Sequence, residues 1–255
     1  VKRLIGAHVA SKDPLGVVAD IGADVAQLFL SNPQSWKKPS LRDDAEELRK
    51  SEIPIYVHAP YLVNVVASNN RVRIPSRKIL QDTCDAAAEI GAAGVVVHGG
   101  QVTGDSPMED AYLRWRKALE QLDTVVPVLI ENTAGGDDAV VRRVETISRL
   151  WEEIGDLGPG FVLDTCHSWA GGEPFEGLVD RIVEATGRID LIHCNDSRDP
   201  FDSRRDRHAG LGFGEIPEVD LAATLRAVDA PIVIETPGDR DDHRRDLRWI
   251  REALA

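Results

Sequence analysis

Short runs of β-branched and apolar residues recur along the chain, each closing near Gly, Pro, Asn or Asp. They are LIGAH (4–8), VAQLFL (25–30), IPIYVHA (53–59), GVVVHGG (94–100), VPVLIENT (126–133), GFVLDTCH (160–167), IDLIHCND (189–196) and PIVIETPG (231–238). Most are near-continuous apolar, the pattern of a strand buried on both faces. Between them the spacing changes to a helical one, as in 76–92, 108–122, 137–155 and 177–187. Strand followed by helix, repeated, builds a parallel sheet covered by helices. Eight such units in 255 residues, with no midchain linker or low-complexity segment, predict one closed (β/α)8 TIM barrel filling 1–255 as a single domain. A doubly wound open sheet is the alternative. No strand is followed by G-x-G-x-x-G, and GLGFGEI (210–216) opens no obvious helix, so a dinucleotide site is discounted. One long loop, 195–219, lies between the seventh strand and the last helix.

Composition narrows the class. No apolar run approaches the ~20 residues that span a bilayer. The N-terminal VKRLIGAHVASKD begins basic but meets charge too soon for a secretory leader. Cys84, Cys166 and Cys194 are odd in number and form no C-x-x-C, which fits reduced, partly buried thiols in a cytoplasmic protein and excludes a cysteine-cluster zinc site. The formal charge of −13 argues against non-specific coating of nucleic acid. It leaves room for a nuclease whose site is made locally positive by metal ions and a few arginines.

The chemistry lies in where the polar residues fall. The first, third and fourth strands end at His8, His58 and His98; the fifth and sixth at Glu131 and Asp164; the seventh and eighth at His193 and Glu235. Parallel barrel strands bring their C-terminal ends to one face, where barrel enzymes keep their active sites. A lone strand-end His or Glu is ordinary. Clustered carboxylates without cations are costly to bury, and metal ions offset that cost. Imidazole with carboxylate and no thiolate cluster suits Zn²⁺ or Mn²⁺. The six from His58 to Glu235 exceed what one open zinc site takes and point to two ions sharing a carboxylate. His167, three residues past Asp164, together with Asp206 and His208 of RRDRHAG (204–210), makes a third set.

At this level of detail the chain resembles endonuclease IV, the trinuclear-zinc apurinic/apyrimidinic endonuclease family of base excision repair. The resemblance runs end to end through IGAHV (5–9), VHAPYLVN (57–64), VVVHGG (95–100), IENTAG (130–135), VLDTCHSWAGG (162–172), LIHCNDSRD (191–199), RDRHAGLGFGEI (205–216) and IVIETPG (232–238). NPQSWK and NNRVRIPSRKIL are similar to the actinobacterial branch. The resemblance implies hydrolysis of the phosphodiester 5′ to an abasic site in double-stranded DNA, leaving a 3′-hydroxyl and a 5′-deoxyribose phosphate. It implies His58 and His98 on a first zinc, with Glu131 bridging to a second completed by Asp164, His193 and Glu235. His167, Asp206 and His208 would hold a third. Glu131 and Glu235 are the expected catalytic carboxylates, His8 a supporting contact, and Mn²⁺ an acceptable occupant of some sites.

The same resemblance assigns DNA contacts. Tyr61 and Leu62 correspond to the family's intercalating pair, a way of unstacking bases and extruding a nucleotide. The family pattern N-x-R-x-W is here Asn32-Pro33-Gln34-Ser35-Trp36, so Gln34 stands where the inserted Arg is found and carries no charge. Phosphate contacts are expected from Arg71, Arg73, Arg205 and Arg207, with Arg77, Lys78 and Arg204 as further candidates. Arg142 and Arg143 are expected on the exposed face of a helix over 137–155. The expected protein is a cytoplasmic monomer, at the nucleoid when acting on DNA, with no membrane partner. Two other readings compete: a metal-dependent sugar isomerase or epimerase of the xylose-isomerase-like barrels, and a non-catalytic damage-binding protein. The isomerase gives no role to Asp206, His208 or Tyr61-Leu62, and mere binding needs no open trinuclear centre.

Overall fold

The computed structural model describes residues 3–10, 12–40 and 42–255. Eight parallel strands close into a barrel: β1 (Ile5–His8), β2 (Val25–Leu28), β3 (Ile55–His58), β4 (Gly94–His98), β5 (Val128–Glu131), β6 (Gly160–Asp164), β7 (Leu191–His193) and β10 (Ile232–Ile234). β10 pairs with both β7 and β1, which closes the ring. The remaining ladder is β8 (Asp196–Ser197) with β9 (His208–Ala209), antiparallel, inside the long loop. The open-sheet alternative is thereby excluded.

Helices pack outside: α1 (Pro14–Ile21), α2 (Ala45–Lys50), α3 (Asn70–Glu89), α4 (Met108–Glu120), α5 (Val144–Ile154), α6 (Thr165–Ala170), α7 (Leu178–Thr186), α8 (Glu218–Ala227) and α9 (Arg240–Leu254). Their ends follow local chemistry. The Asn69 side chain accepts from Arg71 N at 2.9 Å to start α3, and Asp239 accepts from Asp241 N and Asp242 N to start α9. On α5, Ile147, Leu150, Trp151 and Ile154 form one buried stripe.

The strand pleat organises the interior. Side chains alternate in direction along a strand. One set (Val57, Val97, Ile130, Leu163, Ile192 and Ile234 among them) packs in the large core against the helices. The other set forms a separate apolar cluster, one residue from each strand but β1: Val25, Tyr56, Val96, Leu129, Val162, Leu191 and Val233. This plug fills the barrel, each large aliphatic member contributing about 1.5–3 kcal/mol by its burial. Two residues further along each of these strands come Gln27, His58, His98, Glu131, Asp164, His193 and Glu235, with His8 on β1. The apolar layer is thus the floor on which a polar layer stands.

One expected helix is shorter than its periodicity predicts. Residues 137–143 are not helical: Val140 N bonds to Gly100 O at 3.0 Å and Thr133 N to Val141 O at 3.1 Å. Arg142 is therefore not on an exposed helix face. It is 5% exposed. Its guanidinium bonds Gly171 O at 2.9 Å, Asp137 at 2.7 Å and Asp202 at 2.6 Å, tying the loop after β5 to those after α6 and β8. Arg143 precedes α5 and bonds Gly172 O.

Candidate metal centre

Glu131 is the hub. It ends β5 with no solvent exposure. One oxygen, Oε2, faces His58 Nε2 at 3.1 Å and His98 Nε2 at 3.4 Å. The other, Oε1, faces His193 Nδ1 at 3.0 Å and His167 Nδ1 at 3.2 Å. A carboxylate whose two oxygens address two sets of imidazoles has the geometry of a bridge. Among the described residues ligand atoms converge in four groups, three of them without cysteine: His58, His98 and Glu131; Glu131, Asp164, His193 and Glu235; and His167, Asp206 and His208, the atoms of each within 4.8 Å of one another. All nine residues expected from the sequence are in them.

The backbone orients most of the imidazoles. His58 Nδ1 lies 2.6 Å from Ala59 O, His167 Nδ1 2.9 Å from Asn132 O, and His208 Nδ1 3.3 Å from Glu235 O. A carbonyl accepts only, so each Nδ1 carries the proton and each Nε2 is left to face the cluster. Asp164 caps α6, its Oδ1 accepting from His167 N at 2.6 Å, while Oδ2 accepts from Asn195 Nδ2 at 2.7 Å.

Do these residues fit metal ions? His167 Nε2 and His208 Nε2 are buried without a hydrogen-bond partner, yet they lie 3.1 and 3.2 Å from the Asp206 oxygens. The ligand atoms of the three residues lie close enough together to share one ion. Unsatisfied buried nitrogens are costly unless something is coordinated there, so the set fits cations. Cys166 also comes within reach of Asp164 and His208. Burial pushes its thiol up to about 12.

Without cations the cluster is an ion-paired lattice. Burial alone would lower the imidazoles, but the facing carboxylates outweigh it and push His193 and His208 up to about 9, with His167 also well above its usual range. Glu131 would be raised by burial, yet the surrounding imidazoles, His193 first, hold it well below the usual carboxylate range. His98 is the exception, since burial takes it down to about 4. Both His193 and His98 lower Glu131 by their charge, and His167 and His193 add hydrogen bonds.

The expected DNA-contact residues surround this centre unevenly. Tyr61 is 52% exposed and its ring stacks on His98 with centroids 5.7 Å apart. It lines a cavity of about 500 Å³ with Trp36, Leu62, Asn64, His98, His167 and Asp206 among its walls. Gln34 is exposed in the turn made by Asn32, whose side chain accepts from Gln34 N at 2.9 Å. Arg71 is exposed at the start of α3. Others are engaged within the protein: Arg73 with Ala67 O, Ser68 O and Asn70, Arg77 with Arg114 O, Arg207 as a fork on Asp199, and Arg204 with Asp137. Arg205 lies 3.5 Å from Asp199, its side chain 66% exposed. Lys78 pairs with Asp82 on α3. His8 Nδ1 is 3.2 Å from Glu235 Oε1.

The sequence reading missed Gln27 and Asp196. Gln27 is fully buried, within reach of His8, His193 and Glu235. Its signal was present: the second strand alone lacked a polar strand end, and Gln27 is the single polar residue of VAQL. Asp196 explains GLGFGEI. Its carboxylate accepts from Gly212 N, Gly214 N and Ile216 N at 3.2, 2.9 and 3.1 Å. The glycine-rich loop wraps an anion, but the anion is the protein's own. A Cβ on Gly214 would fall 2.4 Å from that carboxylate and from Ser197 O, so no other residue fits there.

Comparison with known proteins agrees with the barrel fold. The family described as xylose isomerase-like TIM barrel matches residues 15–253. "Probable endonuclease 4" of Mycobacterium tuberculosis (strain ATCC 25177 / H37Ra) is 60% identical over 250 residues, 98% of each chain, in keeping with the actinobacterial resemblance. The crystal structure of endonuclease IV from Thermus thermophilus superposes with a TM-score of 0.85 at 30% identity, covering 98% of both chains. A D-tagatose 3-epimerase-like protein superposes at 0.81 with 20% identity over 98% of this chain and 97% of its own, a likeness of fold alone. The chain belongs to the endonuclease IV family, within the xylose isomerase-like TIM barrels.

Proposed function

We propose that the protein is a metal-dependent endonuclease that hydrolyses the phosphodiester 5′ to an abasic site in duplex DNA, leaving a 3′-hydroxyl and a 5′-deoxyribose phosphate. The observation that carries the reading is the convergence of three ligand groups, two of them sharing Glu131 and the third reaching the surface at Asp206, beside an exposed Tyr61. Three zinc ions are the proposed cofactor, Mn²⁺ replacing zinc at some sites. His58, His98 and Glu131 would hold the first, Glu131, Asp164, His193 and Glu235 the second, and His167, Asp206 and His208 the third. When bound, the ions supply Lewis-acid polarisation of the phosphodiester and lower the pKa of water towards neutrality.

The chain's own residues do the rest. Glu131 and Glu235 hold full negative charge at the reacting centre, which balances the cations and keeps the site from closing on a bare anion. Tyr61 and Leu62 stand at the rim, where apolar wedges separate bases at a damaged step. The cavity beside Tyr61 receives the extruded nucleotide, between the wedge and the ligand imidazoles. Arg71, Arg73, Arg205 and Arg207 meet the phosphates, with Gln34 as an uncharged contact near the gap. Among the described residues no helix is long and apolar enough to cross a membrane. We place the protein in the cytoplasm, acting on DNA at the nucleoid as a monomer folded as one domain over 1–255.

The test is incision of a duplex bearing one abasic site, with metal analysis, before and after chelation. Near three zinc equivalents, with incision lost on chelation and restored by zinc, is the expected result. One equivalent with ketose turnover would establish the epimerase reading instead. Binding to the abasic duplex without incision would make it a damage-binding module.

A further inference from the structure

We propose that Gln27 is a positioning residue that fixes which nitrogen of His193 is offered to the metal centre; this rests on the metal reading above. Gln27 occupies the eighth place in the polar layer. Its neighbours on the adjacent strands are His8 and Tyr56, and it is fully buried. Every polar atom of its amide has a partner. Nε2 lies 2.6 Å from Glu235 Oε1 and 3.0 Å from His8 Nδ1; Oε1 lies 2.8 Å from His193 Nε2.

The donor and acceptor roles then follow in sequence. An ionised carboxylate only accepts, so the atom facing Glu235 has to be the amide nitrogen. The amide cannot flip, because flipping would set oxygen against oxygen at 2.6 Å. Its oxygen therefore faces His193 Nε2, which has to carry a proton. In the neutral ring that a metal requires, the lone pair of His193 is thereby on Nδ1, which lies 3.0 Å from Glu131 Oε1, 3.4 Å from Glu235 Oε2 and 4.0 Å from Asp164 Oδ2. His58, His167 and His208 have the opposite arrangement, with Nδ1 on a backbone carbonyl. His193 differs from those three in relying on a side chain, so its orientation is removable by mutation.

Outer partners of ligating imidazoles carry about 10–100-fold in metal affinity. The experiment is zinc retention by the full chain against graded chelator, for wild type, Gln27→Met and Gln27→Asn. Ring ¹⁵N NMR of the zinc-loaded proteins reports the His193 Nε2 proton. Wild type is expected to hold three equivalents. Gln27→Met should release one of them about 10–100-fold more readily, lose the Nε2–H signal, and keep the other two equivalents and the barrel's circular dichroism. Gln27→Asn, which keeps the amide but retracts it by one methylene, should fall between, and decides the matter should the methionine variant not fold. Equal retention and an unchanged Nε2–H signal in the variants would overturn the proposal and leave the metal centre standing. A wild type that takes up no zinc would overturn both.

Discussion

The ligand set divides into a strand-borne half and a loop-borne half, and the two are held by different means. Glu131, Asp164 and His193 sit on barrel strands with no exposure. Asp206 and His208 come from the long loop, and the Asp206 side chain is 50% exposed. Strand register fixes the first group, since each stands two residues beyond a packed member of the apolar floor. The second group is placed by polar ties: Asp196 gathers the amides of 212–216, and Arg142 anchors Asp202. A site built this way has a rigid floor and an adjustable wall, with the adjustable part nearest the solvent from which DNA approaches.

The largest effect should come from the floor. Glu131→Gln removes the charge that two groups share, and incision of an abasic duplex should fall to background with loss of more than one zinc equivalent. Unchanged turnover in that variant would sink the scheme. The wall should break more gently. Asp196→Ala frees three loop amides from a carboxylate, bonds worth about 1.5–3 kcal/mol each when charged. One zinc equivalent should be lost while two remain, with incision lowered but measurable. Loss of all three would mean that the halves form one cooperative unit.

Chelation sharpens the same contrast through pH. In the metal-free protein His193 and His208 are pushed up to about 9 and so are protonated at pH 7. Zinc requires them neutral, so binding should release protons, seen as a buffer-dependent heat, and affinity should weaken as pH is lowered. Raised imidazoles stabilise the metal-free fold fully below their unfolded value of about 6.5. That contribution is lost as pH rises through about 9. The chelated protein should therefore melt progressively earlier between those limits, and the zinc-loaded protein should not.

The same division governs what the sequence revealed. The strand-borne ligands were legible because β-strand runs end where the chemistry begins, and parallel topology alone brings those ends together. Asp206 and His208 were legible only as partners for His167. What orders them was not, because Arg142 meets Asp202 sixty residues away, and no local pattern reports so distant a pair. Helical spacing even placed Arg142 on an exposed face, because VVRR continues the periodicity of α5 through residues that the Gly100 and Thr133 backbone claims instead. The ladder of β8 with β9 is too short to pattern. Gln27 was hidden for the opposite reason: one amide in an apolar run looks like tolerated core until the pleat shows that it faces the ligand layer.

The smallest expected effect lies at the outer rim. Gln34 is exposed on the turn closed by Asn32, two residues before Trp36, which lines the cavity and is 43% exposed. A cation at position 34 would thus project beside the opening without touching the metal ligands. Each phosphate newly neutralised steepens the salt dependence of binding by about 0.9 in log–log slope. Gln34→Arg should therefore tighten binding of abasic duplex severalfold at low salt and steepen that slope by about one, while turnover at saturation stays put. An unchanged slope would place residue 34 away from the phosphates and make the uncharged residue there a matter of surface rather than of DNA recognition.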